Sequence, residues 1–447
     1  MPMNSAPQLL SGARRRSGRS MDLLDYVLFM PGIWLASMLG ISFRLIGPAF
    51  VVVPTGFCLI YAILRRVKPP RVLGLYFGLC LVVAGLSNYQ IFPTSWQVHF
   101  LQDAIMRQLA PLSGFFAVTW ASKAYFRRRL FYGDVFSGAP LIVTLSLFVA
   151  PAVMIQQGVG YEGDYSPFAV IALAGGFINN MLIAFFFIAG AIFFTRDWRR
   201  YAALAFVLLT AATSHFAQFR LMTVITLAAL VGLPGRRVAV GAVAILISLY
   251  AIGMNFIPEA MVTDPNDGLR LQLVFDTLVS AADTHGIGIG YGMESVRWRY
   301  QFPNMADFTF LPDPATMTHS RMLEALSTGV ENSFASALLR TGVVGCLLLV
   351  VAILAAFPPR NLPRDVRNHA AVIFAMIFIT CFVNPALESP LQAIGVGFGY
   401  GYLLALRARS RVCTPEITWF GKPVWSRTGP LGSHRGPAIL ASGLDAK

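Results

Sequence analysis

From residue 23 onward the chain alternates long apolar runs with short polar joints. The runs lie near residues 23–43, 45–63, 72–92, 108–126, 139–156, 168–194, 201–215, 220–234, 238–256, 332–357, 370–387 and 390–406. Most approach the length of about 20 residues that carries an α-helix across a hydrocarbon core of about 30 Å. The pattern predicts an all-α polytopic membrane protein with about twelve transmembrane helices. Two places break the rhythm. Between Ala202 and Gly235 the polar interruption is TSHFAQFR, residues 213–220. A single helix there would be roughly 50 Å long, too long for one crossing. Two short helices and a hairpin are predicted instead, with Ser214, His215 and Arg220 at the apex. The second break is residues 257–330, far longer than the usual loop limit of about 12–15 residues. Its apolar positions Leu269, Leu271, Leu273, Val274 and Leu278 predict short amphipathic helices lying on a membrane surface.

Composition agrees with a bilayer as solvent. Of 447 residues, 56% are hydrophobic and 13% charged, against about 25% charged in a soluble domain; mean hydropathy is +0.63. The net charge of +14 would suit nucleic acid, but the basic residues fall in short clusters between apolar runs. These clusters are Arg14–Arg16 with Arg19, then 65–71, 127–129, 199–200, 236–237, 360–367 and 407–411. All fall on one side if both termini are cytoplasmic, as the excess of Lys and Arg in cytoplasmic loops requires. The long loop then lies outside; it has no lysine, and its cations are Arg270, Arg297, Arg299 and Arg321. The chain divides into a basic tail (1–22), nine helices (23–256), the outer loop (257–330), three helices (331–406) and a polar cytoplasmic tail (407–447). The first apolar run follows GARRRSGRS and continues into a second, which reads as a retained start-transfer helix. The five cysteines form no CxxC pair and none lies in the loop, so neither a disulfide framework nor a zinc site is predicted.

Two segments carry a more specific signal. The first is DGLRLQLVFDTLVSAADTHGIGIGYG, residues 267–292, with Arg270 ahead of an apolar helix and a glycine run. The second is ENSFASALLRTGVVG, residues 331–345, in which Gly342 and Gly345 follow Glu331 by eleven and fourteen positions. With the topology, these resemble the O-antigen ligase and polysaccharide polymerase superfamily of bacterial inner membranes. That superfamily has a large periplasmic loop before a late span, an Arg and a GxG segment, then a His-Asn or Glu-Asn pair leading to Gly-x-x-Gly. His319 opens a decoy, HSRMLEALSTGV, whose Gly329 comes one residue early and which no apolar span follows directly. Glu rather than His at 331 is more like the polymerase branch. Many members carry a Ser-Arg pair at the apex hairpin, whereas this chain has Ser214-His215 with Arg220 six residues on.

The resemblance implies a GT-C-like membrane glycosyltransferase in the inner membrane, its site facing the periplasm. The donor is an undecaprenyl-diphosphate-linked oligosaccharide and the acceptor a sugar hydroxyl on a lipid-linked repeat unit. Negative charge growing on the departing diphosphate needs preorganised cations in a partly dry site, and guanidinium forks bind phosphate oxygens bidentately. Arg270 and Arg220 are the first candidates, with Arg297, Arg299 and Arg321 in substrate binding. The acceptor hydroxyl needs a base, for which Glu331 is the candidate and His319 the alternative; Asn332 and His215 complete the substrate-binding set.

Each candidate has a plainer explanation. Glu331 also suits a helix cap or an ion-pair partner, and Arg220 a side chain reaching for headgroups. Arg270 suits an interfacial anchor, as do Arg297 and Arg299 around Trp298. His319 and His285 suit solvated loop positions. GIGIGYG fails the GxGxxG spacing, so it reads as close backbone packing or a turn. No cluster has metal-ligand spacing, and neither metal nor cofactor is expected. A flippase and a chain-length regulator are the expected protein partners, with membrane lipid around the chain. A ligase acting on a lipid A core is the nearest alternative. A lipid-linked oligosaccharide flippase is the alternative from another class, although no internal halves are evident.

Overall fold

The structure is a computed structural model that describes residues 23–33, 52–89, 95–132, 134–136, 177–194, 198–213, 217–231, 237, 240–242, 244, 265–291, 330, 332–383, 386–387, 392–410, 417–419 and 422–425. The body is helical. A π-helical turn at Asp25–Phe29 precedes α1 (Val52–Leu64), α2 (Arg71–Tyr89) and α3 (Ser95–Tyr132). Next come α4 (Phe177–Phe194), α5 (Trp198–Thr213), α6 (Ala217–Leu230) and α7 (Pro265–Asp283). The last three are α8 (Ser333–Ala355), α9 (Arg364–Val383) and α10 (Ala393–Ser410). Every predicted apolar run that the described residues reach contains helix; residues 139–156 lie outside them.

Proline chemistry sets several boundaries. The joint RRVKPPR ends α1 with Arg66 in the left-handed region at φ 51°, a helix-terminating conformation. Pro69 and Pro70 cannot continue the helix but can begin the next, and the Gly74 N–H bonds Pro70 O at 2.8 Å as α2 starts. Side chains of α3 hold this joint, with Trp120 Nε1 donating to Val67 O and Lys123 Nζ to Lys68 O, both at 2.7 Å. Pro363 likewise opens α9, its carbonyl accepting from Arg367 N at 2.8 Å.

Boundaries shift where polar residues are helical. The run expected at 108–126 becomes a helix of 38 residues, because Gln97, Gln102, Asp103, Arg107 and Gln108 lower hydropathy without opposing helix. For the same reason α9 starts at Arg364 rather than near 370. The loop's expected short helices give way, in its described part, to one helix of 19 residues. The Ala202–Gly235 stretch is two helices, as its length requires. Thr223 Oγ1 of α6 bonds Val207 O of α5 at 3.5 Å. The two residues are equally distant from the break, which makes the pair an antiparallel hairpin.

Helix α10 packs against α3, α4 and α9. Its alternate glycines permit this. A Cβ at Gly397 would lie 2.9 Å from Phe115 O, and one at Gly401 2.6 Å from Ser122 Cβ and Thr119 O. Spaced by four, both face α3, in the manner of small residues between closely packed membrane helices. Gly399 faces Ile373 and Ile377 of α9. Beside this seam, His369 is fully buried, with Nδ1 at 3.0 Å from Tyr402 Oη and Nε2 at 3.1 Å from Phe186 O. Both ring nitrogens are thus occupied, and this histidine is part of the core.

Helices α8 and α9 are long and apolar enough to cross a membrane. Large apolar side chains are exposed along whole helix faces: Val343, Val344, Leu347, Val351 and Leu354 on α8, and Leu75, Leu81, Val82 and Leu86 on α2. Contiguous apolar faces of that kind suit a membrane or a partner better than water. One departure from an all-helical chain is a small sheet. Strand β1 (Asp134–Phe136) pairs in parallel with β2 (Ile417–Trp419), which pairs antiparallel with β3 (Lys422–Trp425). The polar tail beyond Arg407 therefore returns to the end of α3. β-Branched and aromatic residues in ITW and KPVW favour strands, a signal overlooked beside the tail's prolines and glycines.

Candidate functional site

The second signature segment forms a broken helix. Asn332 caps α8, its Oδ1 accepting from Phe334 N at 2.9 Å and Ala335 N at 3.0 Å. Its Nδ2 donates to Phe382 O at 2.7 Å, tying the cap to the end of α9. Ser333 Oγ accepts from Leu387 N at 3.3 Å, and Ser336 Oγ donates to Val330 O at 3.2 Å. Capping thus belongs to the Asn332 Oδ1, which accepts both N–H groups, while its amide nitrogen makes the bond to α9. Glu331, the preceding residue in sequence, lies outside the described residues.

At Gly342 the helix breaks, with φ 68° and ψ −168°, a combination open essentially to glycine alone. The glycine run of the first segment fills the break. Helix α7 ends with Gly286 N bonded to Ala281 O at 2.7 Å and His285 N to Ala282 O at 3.0 Å. This is the Schellman pattern, with His285 in the left-handed position at φ 51°. The chain then lies along the broken turn of α8: Ile289 N donates to Leu339 O at 2.7 Å, Gly290 N to Arg340 O at 3.1 Å, and Val343 N to Gly286 O at 2.8 Å. In an unbroken helix those two carbonyls would accept from residues 343 and 344. The loop replaces a helical turn.

Glycine is required by distance here. A Cβ on Gly288, itself at φ 91°, would meet Gly342 N at 2.7 Å and Arg340 O at 2.9 Å, and one on Gly342 would strike Gly286 O and Ile287 O. A third element joins at Tyr291, whose N–H donates to Ser87 Oγ of α2 at 3.0 Å. Gly288 N also reaches Thr284 Oγ1 at 3.2 Å, and Thr284 Oγ1 donates to Ser280 O at 2.8 Å.

The junction holds charge away from water. Arg340 is 1% exposed, with its guanidinium carbon 5.5 Å from the centre of the Tyr291 ring. On α7, Asp276, Thr277 and Ser280 are buried, so the face packed on α8 is partly polar, not only the apolar stripe its sequence suggests. Ionisable groups at such depth in an apolar helix are costly and mark working sites more often than not. The glycine-lined turn beside a buried guanidinium fixes the segment 286–291 against α8, with the backbone donors and carbonyls named above engaged with one another.

Other predicted residues fall as follows. Arg270 lies on the first turns of α7 and Arg220 on the first turn of α6, with neither side chain described. Ser214, His215, Arg297, Arg299, His319 and Arg321 lie outside the described residues. Among the described residues, no group of three or more His, Cys, Asp or Glu side chains lies together. Arg340 and Asp276 are buried ionisable residues of α8 and α7 that the sequence reading passed over as candidates. The signal was available: LLRTG puts an arginine inside an otherwise apolar run.

A second polar cluster lies elsewhere. Asp25, 1% exposed, receives Tyr61 Oη at 2.7 Å and Arg65 at 2.8 Å on Oδ1, and Arg129 at 3.5 Å on Oδ2, with Arg128 at 4.0 Å. Compared with models of known families and with curated protein sequences, the chain finds no match.

Proposed function

We propose that this protein is a multi-pass inner-membrane polysaccharide polymerase. It transfers a glycan from an undecaprenyl-diphosphate donor to a hydroxyl of a lipid-linked repeat unit, with both termini cytoplasmic and the site facing the periplasm. The single observation that carries the reading is the contact between the two signature segments. The glycine run at 286–291 and the helix at 339–343, some 50 residues apart in sequence, exchange backbone hydrogen bonds. Further support comes from the apolar faces of α2 and α8 and from the resemblance described above.

In this reading the acceptor oxygen attacks the anomeric carbon and its proton passes to the Glu331 carboxylate. The bond from the anomeric carbon to the diphosphate oxygen breaks, and that oxygen keeps the electron pair. Arg270 and Arg220 balance the charge gathering on the leaving group, where exclusion of water strengthens each interaction. The glycine junction fixes α7, which carries Arg270, against α8, which begins just after Glu331. Alignment of this kind is where much of a transfer enzyme's rate originates.

Glycan profiling of cells lacking the protein tests the reading. Single repeat units are expected on the lipid or its final acceptor. Long lipid-linked chains that never reach their acceptor would assign a ligase instead, and intact polymer would reject glycan transfer by this chain.

A further inference from the structure

The Asp25 cluster takes no part in the proposed reaction, yet its construction is specific. Cation–π contacts orient two of its guanidiniums: Arg65 sits 5.1 Å from the Tyr61 ring centre and Arg129 5.5 Å from that of Tyr125. One buried carboxylate thus gathers guanidiniums from the ends of α1 and α3 into a fixed array. The joint at 65–71 supplies three arginines and a lysine, and residues 123–129 a further lysine and three arginines. Acidic residues in the first 140 positions are Asp22, Asp25, Asp103 and Asp134. Asp103 is about 40 Å up α3 from Arg129. Even with the other three, and Glu416 just before strand β2, all paired at this end, these eight cations outnumber carboxylates by four. Such an excess attracts an anion, and guanidinium forks favour one with phosphate oxygens.

Next to these cations the surface is apolar. Ile60, Ile63 and Leu64 are exposed on the last turns of α1, immediately before Arg65. Leu23, Tyr26 and Val27 are exposed around Asp25, on the segment that packs against α1. Charge and apolar surface therefore meet along one line, the profile of a molecule with a phosphate head and hydrocarbon tails. We propose that this face is a binding site for an anionic phospholipid. Its phosphodiester lies against Arg65 and Arg128, whose side chains are 14% and 26% exposed, and its acyl chains lie along Ile60, Ile63 and Tyr26. Asp25 does not touch the lipid; it holds the guanidiniums in register against their mutual repulsion. The proposal rests on the helices being membrane-embedded and is independent of glycan transfer.

The test uses the purified full chain in mixed micelles of phosphatidylglycerol and phosphatidylcholine, with lipid retained on the intact protein counted by native mass spectrometry. Phosphatidylglycerol is expected to be enriched at least about fivefold, the contribution of one basic residue near an anionic surface. Arg65→Gln and Arg128→Gln should each remove most of that preference. Arg360→Gln, which deletes an exposed cation in the α8–α9 joint, should leave it intact. Equal retention of the two lipids by the unaltered protein overturns the proposal, whatever the variants do. So does a preference that Arg360→Gln lowers as much as Arg65→Gln, because general charge then accounts for it. Complete displacement of phosphatidylglycerol by millimolar inorganic phosphate also overturns it, since the apolar face would then contribute nothing.

Discussion

Helices α8 and α9 are both long and apolar enough to cross a bilayer, and α8 is the more apolar of the two. Helix α9 is buried along nearly its whole length, from Val366 to Cys381, and it supplies core packing with an occupied histidine at its polar end. Helix α8 exposes Val343, Val344, Leu347, Val351 and Leu354 on one face, breaks at Gly342 and admits a loop into the break. The less apolar helix is the better buried. Hydropathy therefore does not rank the two by depth: α8 carries apolar residues on an exposed face, which suits a membrane or a partner better than water, whereas α9 is apolar where protein surrounds it. The interruption in α8 falls where the buried Arg340 and the glycine loop meet, which separates a helix broken to receive a loop from one continuous through the core.

Gly342→Ala is the most damaging single change expected in α8. The added Cβ strikes two loop carbonyls in a conformation reserved for glycine. The combined strain and overpacking cost about 3–5 kcal/mol. Thermal unfolding of the purified variant should show this loss, and an unchanged midpoint would mean that the loop does not occupy the break. Leu347→Lys comes next. If the exposed face of α8 meets lipid, a lysine near mid-helix costs about 2.5–3.5 kcal/mol, read as reduced membrane insertion. Normal insertion would place that face in water or against a polar partner.

On the other helix, Ala375→Leu fills space that α9 does not have, since Ala375 is fully buried. Overpacking should cost about 1–3 kcal/mol, while protein that survives extraction keeps its specific activity. A selective loss of activity at unchanged stability would give α9 a role in the site. The smallest effect is expected for Asn332→Ala, which removes a cap worth about 1 kcal/mol and one side-chain bond of similar size. A drop in transfer well beyond the measured loss of stability would support a part for Asn332 in substrate binding.

Much of this architecture is legible from residue order. The apolar runs mark the helices, the polar TSHFAQFR marks the hairpin between α5 and α6, and failure of the GxGxxG spacing marks GIGIGYG as backbone packing. Other features depend on partners distant in sequence. Nothing near Asp25 announces that Arg65, 40 positions later, and Arg129, 104 positions later, will converge on it; as basic clusters they carry only topology. Arg340 is visible as a charge in an apolar run, but its burial depends on Tyr291 and the loop, which hydropathy does not see. The cap at the start of α8 is supplied by Asn332. Both Glu331 and Asn332 suit a helix start, and the short amide reaches two N–H groups one turn on, which is the geometry a cap needs.

In the proposed function the residue entering α8, Glu331, serves chemistry, while the helix itself is organised around the loop junction. Glu331→Gln tests it with the least disturbance, because the substitution keeps shape and removes only the basic carboxylate. The measurement is the chain-length profile of surface glycan from cells carrying this variant as their sole copy, alongside its abundance in the membrane. Single repeat units at normal abundance are the predicted result. Polymer of unaltered length would contradict the claim and leave Glu331 without a part in transfer.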